Sequence, residues 1–265
     1  MPSVTLAHRA TLRIGGEEAE SFLQRLLTAD LAALPPNIVH PCALLSPQGK
    51  VLHEFLIARD GDGLLIDVSR AFLPDLARRL MLYRLHAAVT FEPRPSATVR
   101  AVWDEPAPFR DARFERAVGR SYEPGEDDAT IGDWSRWRIA AGVAELGTDY
   151  AADDLFPHDV GLTGNAGVAV TKGCYVGQEV VSRMHHRGTG RRRVAVVRGA
   201  ALPPPGTALL ADGKPVGTMG SSEGGIGLAI VRTDRVADAE NAGTPITGGE
   251  ASLTIEPIAR ETETA

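Results

Sequence analysis

The chain has 265 residues, 43% of them hydrophobic and 23% charged, and a net charge of −6. This composition is typical of a soluble globular protein and excludes a disordered or fibrous one. No apolar stretch approaches the ~18 residues that a transmembrane helix needs, and the amino terminus lacks the pattern of a secretory signal. Two cysteines without a CxxC pair are too few for a disulfide framework, so we predict a cytoplasmic protein with reduced thiols and no membrane partner.

Positive charge is concentrated in one stretch. Six arginines, two histidines and no acidic residue lie between Val180 and Ala200, so the rest of the chain carries a net charge of −12. A basic stripe on an acidic body predicts a local anion site and argues against coating by nucleic acid.

The first part of the chain alternates strand and helix patterns. Residues 11–14 alternate as a strand, and the spacing of the apolar residues in 19–27 predicts an amphipathic helix of about four turns. Residues 43–45 and 51–57 flank Ser46-Pro47-Gln48-Gly49, which is typical of a turn between two strands.

A further strand is predicted at residues 64–68. Ser69 is then suited to cap a helix that carries Phe72, Leu76, Leu80 and Tyr83. The order of strand, helix, strands and helix predicts an α+β body.

Residues 92–130 contain five prolines and little periodicity, so we expect irregular structure and a subdomain boundary there. A helical pattern returns at 134–146. Past Gly188, short strand patterns separated by turns predict a small β-barrel. We therefore divide the chain into a body at 1–190, a barrel at 191–257 and a frayed tail at 258–265.

One segment carries a candidate reactive group. In Lys172-Gly173-Cys174-Tyr175-Val176-Gly177-Gln178-Glu179, Cys174 precedes a helical pattern that starts at Gln178 and that Gly188 is placed to end. The helix dipole and Lys172 both favour a thiolate, so we expect the Cys174 thiol to have a depressed pKa. A buried, inert cysteine is the alternative, and it is the preferred interpretation of Cys42, which adjoins an apolar run.

The same segment resembles the signature of the YgfZ family. The matching residues are KGCYVGQE at 172–179 and SRMHHRG at 182–188, and weaker matches lie in the same order at 9–24, 44–52, 82–85, 138–142 and 156–159. This family comprises bacterial relatives of the folate-binding aminomethyltransferase (the T-protein of glycine cleavage) and of mitochondrial iron–sulfur assembly factors.

The resemblance implies an aminomethyltransferase-like, folate-binding body of two interwoven subdomains, closed by a C-terminal β-barrel. It also implies tetrahydrofolate or a derivative as ligand, and a role in the assembly or repair of iron–sulfur clusters. Client enzymes would include a radical enzyme that modifies tRNA.

Site residues follow from the resemblance and from the chemistry of the motif. Cys174 and Lys172 are the candidate catalytic residues. The candidate folate-binding residues are Glu54, Trp134, Arg138, Asp159, Tyr175, Gln178, Glu179 and Arg183. The chain departs from aminomethyltransferases where His53-Glu54 replaces paired aspartates and where Ala140 replaces a glutamate suited to the pterin N–H groups, so aminomethyl transfer is disfavoured.

The histidines and Cys174 invite a metal hypothesis. His185 and His186 are adjacent and point about 100° apart on a helix, so they do not form an i, i+4 ligand pair. His158 with Asp159 is either half of an acid–base pair or a structural element of a loop. Cys174 could bind iron only with ligands from a partner, since a cluster normally needs four, and we expect no stably bound metal.

The run Arg191-Arg192-Arg193 has three interpretations. It is a solvated strand entry, a clamp for the carboxylates of a polyglutamylated folate, or an RNA contact. RNA ranks last because no Phe, Tyr or Trp lies between Val176 and Gly227. Trp134 and Trp137 share a helix face, which is typical of a core, although a pterin could stack on one of them.

The resemblance thus implies a tetrahydrofolate-binding accessory protein that supports iron–sulfur enzymes through Cys174, with iron–sulfur client or assembly proteins as partners. A folate-dependent transferase of aminomethyl or one-carbon units is the first alternative. An interaction scaffold without a ligand is the second.

Overall fold

The computed structural model describes residues 2–164, 167–187 and 190–257, and for residues 185–187 and 257 it describes the backbone only. The predicted tail at 258–265 and the predicted helix stop at Gly188 lie outside the described residues. The chain divides into two compact units, each built from two segments. Unit 1 comprises Met1–Ile131 and Asn165–Val180, and unit 2 comprises Gly132–Gly164 and Val181–Ala265.

Unit 1 is built on a nine-stranded sheet in the order β1-β7-β9-β8-β3-β4-β5-β2-β6. Its strand pairs are antiparallel apart from the β3–β8 pair, which is parallel. The strands are β1 (Ser3–Thr5), β2 (Arg9–Gly15), β3 (Ile38–Leu45), β4 (Val51–Asp60), β5 (Gly63–Ser69), β6 (Thr90–Arg94), β7 (Arg100–Trp103), β8 (Phe109–Asp111) and β9 (Val118–Ser121).

Two helices, α1 (Ala19–Gln24) and α2 (Leu73–Arg84), pack with this sheet. Their buried side chains join those of β2 to β5 in one apolar core. In α2 the buried positions are Leu73, Leu76, Ala77 and Leu80. This i, i+3, i+4, i+7 spacing places them on one face of the helix and explains why the segment is helical.

A buried chain of charges runs through the sheet. Arg120 is fully enclosed, and its guanidinium lies 3.4 Å from Asp67 and 3.3 Å from Asp111. Arg9 donates to Asp67 at 2.5 Å, and Arg113 donates to Asp111 at 2.8 Å. Because each buried charge faces an opposite one, the cost of burying these groups is offset.

Unit 2 contains a closed six-stranded barrel in the order β10-β13-β12-β11-β14-β15. Its strands are β10 (Arg192–Arg198), β11 (Ala208–Ala211), β12 (Lys214–Glu223), β13 (Ile226–Arg232), β14 (Ile246–Gly248) and β15 (Ala251–Pro257). Helix α3 (Ile131–Ala140) precedes it, α4 (Gln178–Arg187) begins in unit 1, and α5 (Thr233–Asn241) connects β13 to β14. The predicted α+β body and small barrel are confirmed.

Four local predictions are wrong. Helix α1 has six residues instead of about four turns, because the chain leaves the helix to pair Leu27 with Leu44 in the sheet. Ser69 belongs to β5, and α2 begins without a side-chain cap. Helix α3 ends at Ala140 rather than near 146, just before Gly142 takes a positive φ.

The fourth error is the irregular structure expected at 92–130, where the chain forms β6 to β9. Strands β7 and β9 are buried along their whole length, so they show no alternation of polar and apolar residues. Pro93 lies on β6, which is an edge strand and tolerates a residue without an N–H.

Candidate functional site

The loop that contains Cys174 is anchored to the turn after α1. Lys172 Nζ donates hydrogen bonds to Leu27 O at 2.8 Å and to Ala29 O at 2.7 Å. Thr28 Oγ1 donates to Gly167 O at 2.6 Å, and Ala169 N donates to Thr28 O at 2.9 Å. These four bonds fix the base of the loop on unit 1.

Lys172 is buried, and its ammonium also lies 5.2 Å from the centre of the Tyr175 ring. Burial lowers the pKa of Lys172 and raises the pKa of Tyr175 to about 12. A cation held by two carbonyls and an aromatic face is a structural anchor. The role inferred from the sequence was different, since Lys172 was expected to stabilise the Cys174 thiolate, and its catalytic role stays a prediction.

The other end of the loop fits closely against the β3–β4 turn. Gly177 has φ +81°, and a Cβ built on it would lie 2.6 Å from Ser46 O. Only glycine combines this backbone conformation with so close an approach. Helix α4 begins at the next residue, Gln178, whose N–H donates to Tyr175 O at 3.2 Å. The predicted helix start is therefore confirmed.

Cys174 lies between these two fixed ends and is exposed. A Cβ added at the neighbouring Gly173 would meet no atom within 4 Å. The thiol is thus carried on an open stretch of a loop whose ends are held by buried contacts. This arrangement can present a sulfur atom to a visiting molecule without a rearrangement of the core.

Cys42 has the opposite environment. It is fully buried in the apolar core of unit 1, and its sulfur lies 3.9 Å from Thr28 Oγ1. Burial raises the pKa of the Cys42 thiol, so the thiol form is favoured. The interpretation of Cys42 as a small buried residue is confirmed.

The remaining candidate residues of unit 1 lie on two elements. Glu54 is on β4, opposite Ala43 in β3, and is partly buried. Gln178 and Glu179 open α4, where Gln178 is partly buried and Glu179 is exposed. Gln178 Nε2 lies 3.5 Å from Lys172 O, at the limit for a hydrogen bond, so the loop is tied only weakly at this point.

In unit 2, α3 places Trp134 in the core. Trp134 is 1% exposed, so neither face of its ring is open. This burial favours the alternative interpretation of Trp134 as a core residue, and its role in cofactor binding stays a prediction. Trp134 lies on the buried face of α3, and filling the core there is sufficient to explain a large aromatic residue at this position.

Arg138, four residues further along α3, is also buried. Its guanidinium donates to Asp149 at 2.6 Å, to Val143 O at 2.6 Å and to Ser221 Oγ at 2.7 Å. Asp149 in turn accepts the backbone N–H groups of Glu145 and Ser221, both at 2.8 Å. The pair joins α3 to the barrel strand β12. These contacts favour a structural role for Arg138, and its direct contact with a ligand stays a prediction.

Asp159 is buried as well and organises its own loop. It accepts the N–H of Phe156 at 3.0 Å, and its other carboxylate oxygen lies 3.0 Å from His158 Nε2. The His158 ring stacks on Phe156 with centroids 5.7 Å apart. These contacts favour the structural interpretation of His158 and Asp159 over the acid–base pair.

The arginine run has local partners in unit 2. Arg192 donates to Asp154 at 3.2 Å and lies 3.9 Å from Asp159, and Arg193 donates to Gly190 O. Arg191 is exposed and lies 3.8 Å from Asp234. These contacts favour the interpretation as a solvated strand entry.

Arg183 lies exposed on α4, and the side chains of His185 and His186 lie outside the described residues. Among the described residues, no three His, Cys, Asp or Glu side chains are grouped so that they could hold a metal ion. No helix within the described ranges is long and apolar enough to cross a membrane.

Sequence reasoning missed the residues that hold the loop. Leu27 and Ala29 contribute backbone carbonyls, which every residue has, so no sequence signal could identify them. Asp149 was also missed, although an acid in the glycine-rich loop after α3 was a visible partner for the buried Arg138.

Known proteins are similar to this chain both in its C-terminal barrel and over most of its length. Residues 191–259 match the family model of the CAF17 C-terminal beta-barrel domain. The chain is 29% identical to the human mitochondrial iron-sulfur cluster assembly factor IBA57, over 86% of this chain and 76% of that protein. It is 26% identical to the tRNA-modifying protein YgfZ of Edwardsiella ictaluri, over 72% of this chain and 69% of that protein.

The fold is similar to that of the glycine cleavage system aminomethyltransferase T from Bartonella henselae. The TM-score is 0.77 at 14% sequence identity, over 98% of this chain and 85% of the other. At this identity the similarity concerns the fold alone. It confirms the predicted aminomethyltransferase-like fold with a C-terminal barrel. In sequence the chain is thus similar to IBA57 and YgfZ proteins, its residues 191–259 match the CAF17 barrel model, and its fold is that of the aminomethyltransferase.

Proposed function

We propose that this protein supports the assembly or repair of iron–sulfur clusters in client enzymes, that it binds tetrahydrofolate, and that it acts through the thiol of Cys174. The assembly role is supported by the names of its relatives, which include several IBA57 proteins. Clients that modify tRNA are part of the proposal and are supported by the name of the YgfZ relative. We also propose a cytoplasmic location, which rests on the two unpaired cysteines.

The observation that carries the proposal is the contrast between the two thiols. Cys174 is exposed on a loop with buried anchors, whereas Cys42 is enclosed in the core. An exposed sulfur with fixed neighbours suits transient contact with an iron–sulfur protein, since thiolate is the usual protein ligand of iron–sulfur clusters. The cluster is then cargo, bound together with ligands from the client or assembly protein.

The residues suit a folate in part. The pterin ring offers N–H groups that a carboxylate accepts, and the glutamate tail offers carboxylates that a guanidinium binds in a bidentate manner. Glu54 and Arg183, which are partly buried and exposed respectively, have this chemistry. The burial of Trp134 argues against stacking of a pterin on its ring, and Arg138 and Asp159 are engaged in internal hydrogen bonds.

Complementation tests the role of Cys174. A host that lacks its own homologue is supplied with the wild-type chain, with Cys174→Ser or with the matched control Cys42→Ala, and the activity of an iron–sulfur dehydratase is measured per amount of dehydratase protein. We expect rescue by the wild type and by Cys42→Ala and none by Cys174→Ser. Full rescue by Cys174→Ser would contradict the proposed use of the thiol.

Titration calorimetry with tetrahydrofolate tests the ligand. We expect saturable binding by the wild type, weakened at least tenfold in Glu54→Ala and in Arg183→Ala, because each change removes one polar contact. The controls Glu250→Ala and Arg25→Ala alter exposed charges elsewhere and should bind as the wild type does. Absence of heat with the wild type would contradict folate binding and favour a scaffold without a ligand.

The similarity to an aminomethyltransferase fold favours a second candidate, a folate-dependent transferase of one-carbon units. An assay with an aminomethyl donor and tetrahydrofolate distinguishes the two. Formation of methylene-tetrahydrofolate that depends on the protein would support the transferase. We expect none, because Ala140 occupies the position of the glutamate that the pterin contact needs in aminomethyltransferases.

A further inference from the structure

Helix α2 has a second apolar face that nothing in the described chain covers. Its inner face is part of the core of unit 1, but Met81, Leu82 and Leu85 are 51%, 67% and 81% exposed. Arg78, Met81 and Leu82 stand at positions i, i+3 and i+4 of α2, which align on one side of a helix, and Leu85 directly follows Arg84, the last helical residue. We call the surface formed by Arg78, Met81, Leu82 and Leu85 the α2 outer face.

Scattered exposed leucines are ordinary, but a contiguous apolar group is not. Large apolar side chains that adjoin one another on a surface usually mark a site of interaction. All six residues from Met81 to His86 are exposed. The α2 outer face is therefore a distinct surface feature.

The backbone conformation of Leu85 is a second, independent indication that this surface has a function. Leu85 has φ +48° and ψ −108° and is the residue that ends α2. A residue with a Cβ is strained in this region, whereas glycine is not, and glycine is the usual residue at such a helix end. A strained and exposed leucine where glycine would be more stable indicates that the side chain itself is used.

Charge restricts the nature of the occupant. No Asp or Glu occurs between Leu76 and Phe91, whereas Arg78, Arg79 and Arg84 do, in a chain of net charge −6. Asp75 binds Arg78 and Arg79, and Glu18 accepts the Ala88 N–H, so these two carboxylates offset part of the charge of the three arginines. The surroundings of the exposed leucines remain basic, so a complementary surface is apolar with a border of carboxylates.

The arrangement of the side chains on the α2 outer face favours one of three candidate binding partners, which are a helix of another protein, an anionic membrane and a second copy of this chain. Arg78, Met81 and Leu82 form a ridge on α2 that fits the groove of a second helix, and Leu85 extends the apolar surface past the end of α2. An anionic membrane is less suitable, because three apolar side chains and few cations give weak attachment and the chain as a whole is acidic. A second copy related by two-fold symmetry would bring the same basic surfaces together.

We propose that the α2 outer face is a docking surface for an amphipathic helix of a partner protein, whose apolar stripe is bordered by Asp and Glu. This proposal is independent of folate binding and of the thiol of Cys174. The contact buries Met81, Leu82 and Leu85, and the carboxylates of the partner meet Arg78 and Arg84.

The test uses the full chain and two labelled synthetic peptides of about five helical turns, a length at which a helix is stable enough to dock. Both carry leucine at i, i+3, i+4 and i+7. One has glutamates beside the leucines, and the other has lysines in their place. Fluorescence anisotropy should show that the glutamate peptide binds the wild type at least tenfold more tightly than the lysine peptide. Equal affinities, or no binding of the glutamate peptide, would overturn the proposal.

Three variants locate the contact. Leu82→Glu and Leu85→Gly should each weaken the glutamate peptide at least tenfold, whereas Ile131→Glu, at a site 49% exposed but outside α2, should bind as the wild type does. Leu85→Gly should also raise the midpoint of thermal unfolding, because it relieves the positive φ. Loss of affinity in a more stable protein cannot come from unfolding.

Two further measurements separate the other occupants. Sedimentation with vesicles of phosphatidylcholine and phosphatidylglycerol tests the membrane, and sedimentation velocity of the protein alone tests self-association. We expect neither to depend on Leu82. Vesicle binding that Leu82→Glu abolishes would overturn the proposal in favour of a membrane, and a dimer that Leu82→Glu dissociates would do so in favour of a second copy.

Discussion

Gly49 and Gly177 pack backbone against backbone, at the point where the Cys174 loop meets the β3–β4 turn. Both have positive φ, +80° and +81°, and a Cβ on Gly177 would lie 3.0 Å from the Gly49 Cα. The two glycines come from sequence motifs more than 120 residues apart, SPQGK and KGCYVGQE. Their contact sets the position of the chain just before α4.

Gly177→Ala should therefore destabilise the protein strongly. The left-handed conformation costs about 1–2 kcal/mol for a residue with a Cβ, and the clash with Ser46 O at 2.6 Å adds to it. We expect a decrease of about 3 kcal/mol in the free energy of unfolding, measured by urea denaturation.

Two alanine variants separate the contributions. Gly61 has φ +59° with open space around it, so Gly61→Ala should cost only the conformational part, about 1 kcal/mol. Gly173 has open space and no positive φ, so Gly173→Ala should change stability by less than about 0.5 kcal/mol. If Gly177→Ala costs no more than Gly61→Ala, the close packing of the two glycines has no energetic weight.

Lys172→Met should release the loop from the turn after α1. The change keeps most of the buried stem and removes two charge-assisted hydrogen bonds to Leu27 O and Ala29 O. Hydrogen bonds to charged groups contribute about 1.5–3 kcal/mol, and the two share one donor group, so we expect a loss of about 3 kcal/mol. Hydrogen exchange of residues 167–177 should accelerate at the same time.

The control is Lys214→Met, which changes an exposed lysine on β12 in unit 2. It should alter neither the free energy of unfolding nor the exchange of the loop. Unchanged exchange in Lys172→Met would mean that the hydrogen bonds of Thr28 and the glycine contact hold the loop without Lys172.

The barrel could be predicted from the sequence because its turns are marked. Asp212-Gly213 and Gly224-Gly225 combine positive φ with flanking apolar strands, and these are the residues that tight turns require. Strands β7 and β9 could not be predicted, because short strands buried on both faces lack the alternation that identifies a strand.

The site was predictable only as a motif. The residues around Cys174 could be recognised, but the position of Lys172 could not, since its partners are backbone carbonyls 143 and 145 residues away. For Trp134 the sequence was ambiguous in another way. The spacing of an aromatic residue on a helix face is the same whether the residue lines a pocket or fills a core. Only its burial decides between them.

Asp149→Ala should be among the most destabilising changes in unit 2. The substitution leaves Arg138 buried without its principal carboxylate and removes the acceptor for the N–H groups of Glu145 and Ser221. Breaking a buried pair in this way costs about 3–5 kcal/mol. Asp154→Ala removes an exposed ion pair with Arg192 and should cost less than about 1 kcal/mol. Comparable losses in the two variants, measured by thermal unfolding, would contradict the central role of Asp149.

His53 should make the stability depend on pH between 4 and 6.5. It is 2% exposed, its Nε2 lies 3.0 Å from Asp75, and its ring packs edge-on against Phe72. Burial lowers the pKa of His53 to about 4. The positive charges of Arg79 and Arg78 lower it further, and Asp75 opposes the shift. The folded protein therefore favours the neutral form of the His53 imidazole.

The direction of this pH dependence follows from the number of protons that the folded and unfolded states bind. In the unfolded chain the imidazole titrates near 6.5, so between pH 6.5 and pH 4 the unfolded state binds more protons than the folded state. The free energy of unfolding therefore falls as the pH is lowered through this window, by about 3 kcal/mol in total. His53→Gln removes the titrating group and can still donate a hydrogen bond to Asp75. Urea denaturation at pH 7 and at pH 4.5 should show a smaller difference for this variant than for the wild type, and an equal difference would assign the pH dependence to other groups.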